Sequence, residues 1–199
     1  MMHHTNRDAS EFEVSIVSLP YGAAKWHLVC DFLVLRKQVF IDEMGWDLHS
    51  AQSWEFEQYD ALDAVYVIAH RGDEVLGGAR LLRTDRENGT GTMRYSYMIR
   101  DAYLGHLPGL PEEICADEPP VARTAWELTR LAVRSARLGA AILTATNEFL
   151  KTVDADTCLF LGPPSFMRMA RGMGYDPQPM GKITGNHDGR FLAFSCGVI

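Results

Sequence analysis

Large apolar and polar side chains alternate from Trp126 to Val133, which is the pattern of a half-buried β-strand. In such a strand Glu127 and Thr129 point to one face, and Leu128 and Arg130 point to the other. The apolar positions that follow recur at helical spacing (Leu138, Ile142, Ala145 and Phe149). The pattern therefore predicts a strand that leads through a short turn into a helix.

Apolar periodicity divides the rest of the chain in the same way. It predicts strands at residues 13–19, 64–70, 74–83, 157–161, 182–184 and 191–196, and helices at 22–43, 99–104 and 163–171. The segments 47–63, 85–92 and 108–121 are predicted to be loops. This order indicates one α/β (α+β) domain over residues 1–199, with a mixed sheet and helices on both faces, in which 126–161 is a parallel strand–helix–strand unit.

Composition and charge exclude several classes of protein. The 199 residues carry a formal net charge of −7, and a nucleic-acid-binding protein is more often basic. No apolar run approaches the roughly 20 residues that a membrane helix needs, and residues 1–15 lack the apolar core of a secretory signal. The four cysteines lie far apart and none forms a CxxC pair, so we expect reduced thiols in a cytoplasmic protein with no metal site.

The turn between the strand and the helix of the 126–149 segment is basic and contains glycine: it carries Arg134, Arg137 and Gly139. A strand, a turn with free backbone N–H groups and a helix N-terminus together make a natural anion site. Glu127 lies on the strand that feeds this turn. The segment therefore suggests a phosphate-bearing substrate held beside acid–base groups.

A second candidate region is the acidic stretch 47–63, where five carboxylates are interleaved with three aromatic residues (Trp54, Phe56 and Tyr59). Such a stretch is either a solvated loop or a pocket for a cation, which carboxylates and ring faces both attract. Arg80 lies in a largely apolar strand and needs a carboxylate partner, which the acidic stretch can provide.

Together these residues resemble the acyl-homoserine-lactone synthases, the autoinducer synthases of quorum sensing. The matching motifs are Arg36-x-x-x-Phe40, Gly45-Trp46, Glu57-x-x-Asp60, Gly77-x-x-Arg80-Leu81-Leu82 and Trp126-Glu127-Leu128-Thr129-Arg130. Each motif is short, but their order and spacing from about Arg36 to Arg134 are those of the family. The resemblance implies a fold related to the GNAT acetyltransferases.

The resemblance also implies two substrates, S-adenosylmethionine (SAM) and an acyl thioester carried on coenzyme A or on acyl carrier protein, and no cofactor. The SAM amine attacks the thioester, and the SAM carboxylate then displaces methylthioadenosine to close a lactone. This chemistry suits the residue types present. A carboxylate can take the proton from the amine, an arginine can hold the SAM carboxylate, and carboxylates and aromatic faces suit the sulfonium.

Site residues follow from the resemblance by position. Arg36, Phe40 and Trp46 would form the SAM pocket, Glu57 and Asp60 a carboxylate cluster with Arg80, and Glu127 the catalytic carboxylate with Arg130 in the same network. For the phosphopantetheine and acyl chain we predict Arg134, Arg137, Phe149, Leu161 and Phe166, on a cleft in the C-terminal half.

Three features depart from the common family pattern. Glu57 stands where the family commonly has Asp, Arg83 replaces a frequent proline, and the segment 93–111 is unlike the usual short apolar run. The alternatives are a GNAT-like N-acyltransferase acting on another amine, which would need no SAM pocket, and a non-catalytic acyl-binding domain. The sequence leaves open the acyl chain, the choice between coenzyme A and carrier protein, the oligomeric state and the cognate receptor.

Overall fold

A single mixed sheet organises the computed structural model, which describes residues 12–186 and 189–199. Its helices are α1 (Trp26–Arg36), α2 (Met98–Tyr103), α3 (Ala136–Thr152) and α4 (Pro164–Gly172). Its strands are β1 (Glu13–Ser18), β2 (Ser50–Ala51), β3 (Trp54–Glu55), β4 (Val65–Arg71), β5 (Glu74–Arg83), β6 (Asn88–Thr90), β7 (Met93–Tyr95), β8 (Ala125–Val133), β9 (Thr157–Gly162), β10 (Gln178–Pro179), β11 (Thr184–Asn186) and β12 (Gly189–Gly197). Most of the signal-peptide prediction falls on residues 1–11, outside the described part.

The main sheet has the order β1-β4-β5-β8-β9-β12-β10, with β11 paired to β12. All of these pairs are antiparallel except β8–β9, which is parallel, so the predicted strand–helix–strand unit is confirmed. The predicted loop 47–63 contains a short hairpin, β2–β3, and the predicted loop 85–92 contains the first strand of another, β6–β7. These strands are two or three residues long, too short to produce a hydrophobic period.

Helices cover both faces of the sheet, as predicted. On β4, Val65, Val67 and Ala69 join the core under α3, whereas Tyr66 and Ile68 join the core under α1. Because successive side chains of β4 point to opposite faces of the sheet, this strand contributes to both hydrophobic cores. Among the described residues, no helix is both long and apolar enough to cross a membrane.

The helix predicted at residues 22–43 is observed as one continuous segment in which three types of helix follow one another. A 3₁₀ turn (Ala23–Lys25) leads into α1, and a π-helical stretch (Lys37–Glu43) follows it. The end has an αL-type cap, since Gly45 N donates to Ile41 O at 3.1 Å and Gly45 adopts a φ of +72°. Glycine is suited to this left-handed position, and it turns the chain back over the end of the helix.

The pairing of the two parallel strands sets the place of the site. The β8–β9 register runs from Ala125↔Thr157 to Leu128↔Phe160 and stops there, although both strands continue. The strands separate beyond this point, and side chains from both of them line the gap. A cleft in the middle of the sheet follows from this separation.

Candidate active site

Six buried charged side chains lie in one closed ring beside this cleft. Their order around the ring, with alternating charge, is Arg36, Glu55, Arg130, Glu57, Arg80 and Asp60. Three arginines and three carboxylates balance each other, which is the condition for keeping six charges out of water. The ring joins α1, the acidic stretch, β5 and β8, which are far apart in sequence.

The contacts within the ring are short and specific. Arg36 Nη1 lies 2.7 Å from Asp60 Oδ1, and its other nitrogens bind Glu55. Arg80 Nη2 lies 2.7 Å from Glu57 Oε1, and Arg80 Nη1 lies 3.0 Å from Asp60 Oδ1. The structure thus pairs Arg80 with the acidic stretch, as its sequence position required.

Arg130 closes the ring from β8. Its Nη2 lies 2.6 Å from Glu57 Oε2 and its Nε lies 3.3 Å from Glu55 Oε1. The predicted alternation is wrong here, because it sends Arg130 to the face opposite Thr129, whereas Thr129 Oγ1 accepts a bond from Arg80 in the same ring. Arg130 has a φ of +55° and the β5–β8 register shifts nearby, so a bulge breaks the two-residue period.

Only one edge of the ring faces the cleft. The side chains of Glu57 and Arg130 are 13% and 8% exposed, whereas those of Arg36, Arg80, Asp60 and Glu55 are at most 1% exposed. Arg36 was predicted to form the SAM pocket, but it lies behind the cavity wall with its guanidinium bound to carboxylates. It therefore supports the wall rather than contacting the cavity.

The charges in the ring shift one another's pKa values. Burial alone would raise the pKa of Glu57, but Arg130 and Arg80 outweigh it and hold that pKa below its ordinary value. For Asp60 the same competition, with Arg80 and Arg36, leaves the pKa well below its usual range. Both carboxylates are therefore ionised at neutral pH, and they are weak bases.

Glu127 lies outside the ring and has the opposite shift. It is fully buried, which raises its pKa to about 7, although bonds from two backbone N–H groups and the charge of Arg80 partly oppose the rise. Those bonds come from Met98 N (3.1 Å) and Ile99 N (2.7 Å) at the start of α2. Glu127 was predicted to be catalytic, and the structure places it behind the cavity wall.

A cavity of about 750 Å³ fills the cleft. Its wall combines the ring edge with residues of the separated strands, α4, the loop after α2 and the β11–β12 hairpin; they include Phe40, Trp46, Tyr59, Met98, Thr129, Leu131, Val133, Leu161, Phe166, Met169 and Phe191. The volume is within the range of about 300–1,000 Å³ that is usual for small-molecule sites. The wall beside the ring is aromatic and charged, and the wall formed by the separated strands and α4 is mostly apolar.

The aromatic end is built by the π-helical stretch and the turn after it. Phe40 and Trp46 stack with ring centroids 5.1 Å apart and planes 10° apart, and Arg130 lies over the Phe40 ring at 5.9 Å. Gly45 allows the turn that brings the two rings together. Both residues, which were predicted to form the SAM pocket, line the cavity.

The predicted acyl and phosphate residues divide into two groups. Leu161 and Phe166 line the cavity. Phe149 does not: it packs edge-on against Trp126, with centroids 5.6 Å apart, in the core between α3 and the sheet. The structure thus places Phe149 away from the cavity, because helical spacing identifies an apolar face but not which part of that face borders a cavity.

Arg134 and Arg137 lie outside the cavity at the start of α3. Arg134 is half exposed and pairs with Glu43, and Arg137 lies over the Phe12 ring at 5.5 Å. The N-terminus of α3 is partly capped, since Ser135 accepts a bond from Leu138 N, so one of the N–H groups predicted to be free already has a partner.

Sequence reasoning included Glu55 and Tyr59 only in the acidic stretch, as part of either a loop or a cation pocket, and it missed the wall residues Met98 and Thr129. A signal for Glu55 was present, because three arginines of the motifs (Arg36, Arg80 and Arg130) require a third carboxylate beside Glu57 and Asp60. The wall residues carry no such signal, since an apolar side chain on a cavity wall looks like any core residue.

Comparison with known proteins agrees with this geometry. A family model described as autoinducer synthase matches residues 25–137. The acyl-homoserine-lactone synthase of Ralstonia solanacearum is 38% identical over 103 residues, which are 50% of this chain and 43% of that protein. The chain thus matches less than half the length of this curated relative.

Two solved structures match nearly the whole chain. TofI in a ternary complex with an inhibitor and MTA has a TM-score of 0.74 at 26% identity, over 95% of this chain and 92% of TofI. BjaI, a CoA-dependent acyl-homoserine lactone synthase with SAM and isopentyl-CoA, has a TM-score of 0.78 at 18% identity, over 95% and 84%. The fold is the GNAT-like fold of these synthases, and since the family model covers more than half of its 199 residues, the chain belongs to the autoinducer synthase family.

Proposed function

We propose that this protein is an acyl-homoserine-lactone synthase that uses SAM and an acyl thioester. The observation that carries the proposal is the single cavity with two unlike ends at the β8–β9 separation. Its aromatic and charged end suits a cationic adenosyl sulfonium, and its apolar end suits an acyl chain. The relatives support this assignment, because TofI was solved with MTA and BjaI with SAM and isopentyl-CoA.

Two bonds form in the proposed reaction. The SAM ammonium loses one proton to water and the amine attacks the thioester carbonyl; the donor thiolate then leaves and takes up the second nitrogen proton, which gives an amide and a free thiol. A carboxylate oxygen of the methionine part then attacks its γ-carbon, the bond from that carbon to sulfur breaks, and neutral methylthioadenosine leaves. Neither step needs a cofactor besides the two substrates.

The SAM end of the cavity is assigned to Phe40, Trp46 and the exposed edge of Glu57. Aromatic faces and a carboxylate attract a sulfonium and an ammonium, and Glu57 is held ionised by its two arginines. Arg130 lies beside them and can exchange part of its pairing for the SAM carboxylate, to which a guanidinium binds bidentately. Arg36, Arg80 and Asp60 hold this edge in place from behind.

The donor end is assigned to the separated strands and α4, with Leu161 and Phe166 against the acyl chain. At the outer edge, Arg134 and Arg137 follow β8 directly and are the proposed contacts for phosphates of coenzyme A or a carrier protein. The Arg134–Glu43 pair is exposed and contributes little, so a phosphate can displace it. Both substrates are made in the cytoplasm, which is where we place the protein.

A turnover assay tests the proposal. Purified protein is incubated with SAM and a panel of acyl-CoA and acyl-carrier thioesters, and mass spectrometry follows methylthioadenosine and acyl-homoserine lactone. We expect both products from at least one donor. An amide formed without methylthioadenosine would instead identify an N-acyltransferase, and SAM binding without turnover on any donor would identify a binding domain.

A further inference from the structure

Glu127 is joined to α2 rather than to the cavity. Its two carboxylate oxygens accept bonds from Met98 N and Ile99 N, the first two residues of α2. The residue before the helix, Tyr97, gives it no side-chain cap. A carboxylate from the middle of the sheet therefore satisfies N–H groups that a local cap would otherwise satisfy, and its charge suits the positive end of the helix.

The position of Glu127 does not suit a general base. A base must come within hydrogen-bond reach of the proton that it takes, and Glu127 is fully buried and absent from the cavity wall. Its oxygens already hold the two backbone amides. Glu57 and Arg130 occupy the part of the wall where the ring meets the cavity.

The segment that Glu127 holds does reach the cavity. Met98 lies in the cavity wall, and the Sδ atom of Met98 is 4.0 Å from Nη1 of Arg130. A second carboxylate, Asp101, fixes the same segment by accepting bonds from Ser96 N (3.1 Å) and from the hydroxyl of Tyr59 (2.7 Å), another wall residue. Two buried carboxylates thus position one short helix against Arg130 and Tyr59.

We propose that Glu127 is a positioning residue, which sets Met98 and the start of α2 against Arg130, and that it is not the base of the reaction. This inference rests on the proposed function for its kinetic consequences. Loss of the anchor displaces the wall beside the SAM end, so it weakens substrate binding. The transfer of the amine proton to water continues.

Steady-state kinetics of Glu127→Gln test the role. Gln presents one acceptor and one donor to two N–H groups, so one of the two bonds is lost. We expect the KM for SAM to rise about tenfold, with kcat reduced less than about fivefold and the acid limb of the kcat–pH profile retained. A fall in kcat of about 100-fold or more at unchanged KM, with loss of that limb, would show that Glu127 is the base.

Two matched variants distinguish a positioning role of Glu127 from a role as the general base. Asp101→Asn loosens the same helix from its other anchor, and we expect it to reproduce the rise in KM. Glu118→Gln removes an exposed carboxylate that pairs with Arg100 of α2, and its kinetics should equal those of wild type. If Asp101→Asn has wild-type KM while Glu127→Gln loses turnover, the inference is wrong.

Amide hydrogen exchange makes the test independent of turnover. In Glu127→Gln the amides of Met98 and Ile99 should exchange about tenfold faster than in wild type, while amides in the middle of α3 are unchanged. Unaltered exchange at both amides would overturn the anchoring role. Absence of lactone from wild type would reject the proposed function without affecting this exchange result.

Discussion

At the residue scale, Glu57 connects the buried ring to the cavity. Each of its carboxylate oxygens holds a different arginine, Oε1 at 2.7 Å from Arg80 and Oε2 at 2.6 Å from Arg130. The family commonly has Asp at this position, which is one methylene shorter. In this chain the longer side chain reaches two strands, β5 and β8, at once.

Substitution of Glu57 tests this bridge. Glu57→Gln leaves Arg80 and Arg130 without one of their counter-charges, so we expect a loss of about 3 kcal/mol in the free energy of unfolding and at least a tenfold loss in kcat/KM for SAM. Urea denaturation and steady-state kinetics measure the two effects. Glu57→Asp keeps the charge but cannot span both arginines, so an intermediate loss is expected; wild-type stability in both variants would contradict the bridge.

At the element scale, the sequence predicted the long elements and their order well. The strands β4, β5 and β8 and the helices α1, α3 and α4 have strong apolar periods, and their predicted bounds lie within a few residues of the observed ones. The bulge at Arg130 and the packing of Phe149 were not predictable, because both depend on which neighbour an element meets. The hydrophobic periodicity of one element carries no information on which other element packs against it.

The turn after the π-helical stretch is the element that forms the aromatic end of the cavity, and Gly45 controls it. A Cβ at Gly45 meets no atom within 4 Å, so Gly45→Ala introduces only backbone strain at a φ of +72°. We expect about 1 kcal/mol loss of stability and a several-fold higher Kd for SAM, as the Phe40–Trp46 pair loses its alignment. Calorimetry measures the affinity.

Gly72 provides the control, since it has a φ of +57° in the β4–β5 turn and equally open surroundings. Gly72→Ala should cost similar stability and leave SAM affinity unchanged. Equal Kd values for the Gly45 and Gly72 variants would mean that the turn does not shape the site.

Two predicted acyl residues of the same core differ in position, since Phe166 lines the cavity and Phe149 does not, and one pair of substitutions separates them. Phe166→Leu shortens a side chain on the cavity wall, so we expect the ratio of kcat/KM values to shift about tenfold towards longer acyl donors. Phe149→Leu makes the same change in that core but away from the cavity wall, and it should lower only the stability. A shift in chain-length preference for the Phe149 variant would place the acyl chain between α3 and the sheet rather than in the cavity.

At the scale of the whole molecule, the site is assembled from segments that are far apart in the sequence. The ring of charges ties α1, the acidic stretch, β5 and β8 together, and the separation of β8 from β9 opens the cavity beside it. The sequence contained the participants, since Arg80, Arg130, Glu57 and Asp60 stand in recognisable motifs. It could not show that only the edge formed by Glu57 and Arg130 faces the cavity, because exposure is a property of the assembled sheet.

The buried carboxylates also set how stability depends on pH. The pKa of Asp60 is lowered in the folded state, so Asp60 stabilises the fold at neutral pH and that contribution is lost as the solution becomes acidic. Glu127 acts in the opposite direction. Its pKa rises from an ordinary 4.5 to about 7 on folding, so the native state binds more protons than the unfolded state between these values.

The contribution of Glu127 to stability should therefore be complete below about pH 4.5 and decrease as the pH rises to about 7, by an amount on the order of 3 kcal/mol. Thermal unfolding of wild type and Glu127→Gln at several pH values measures it. Because the variant lacks this titration while Asp60 is common to both proteins, the Tm of wild type relative to the variant should fall steadily from pH 4.5 to 7.5. A constant difference would mean that Glu127 titrates alike in the folded and unfolded chains, and a rising one that folding stabilises its charged form.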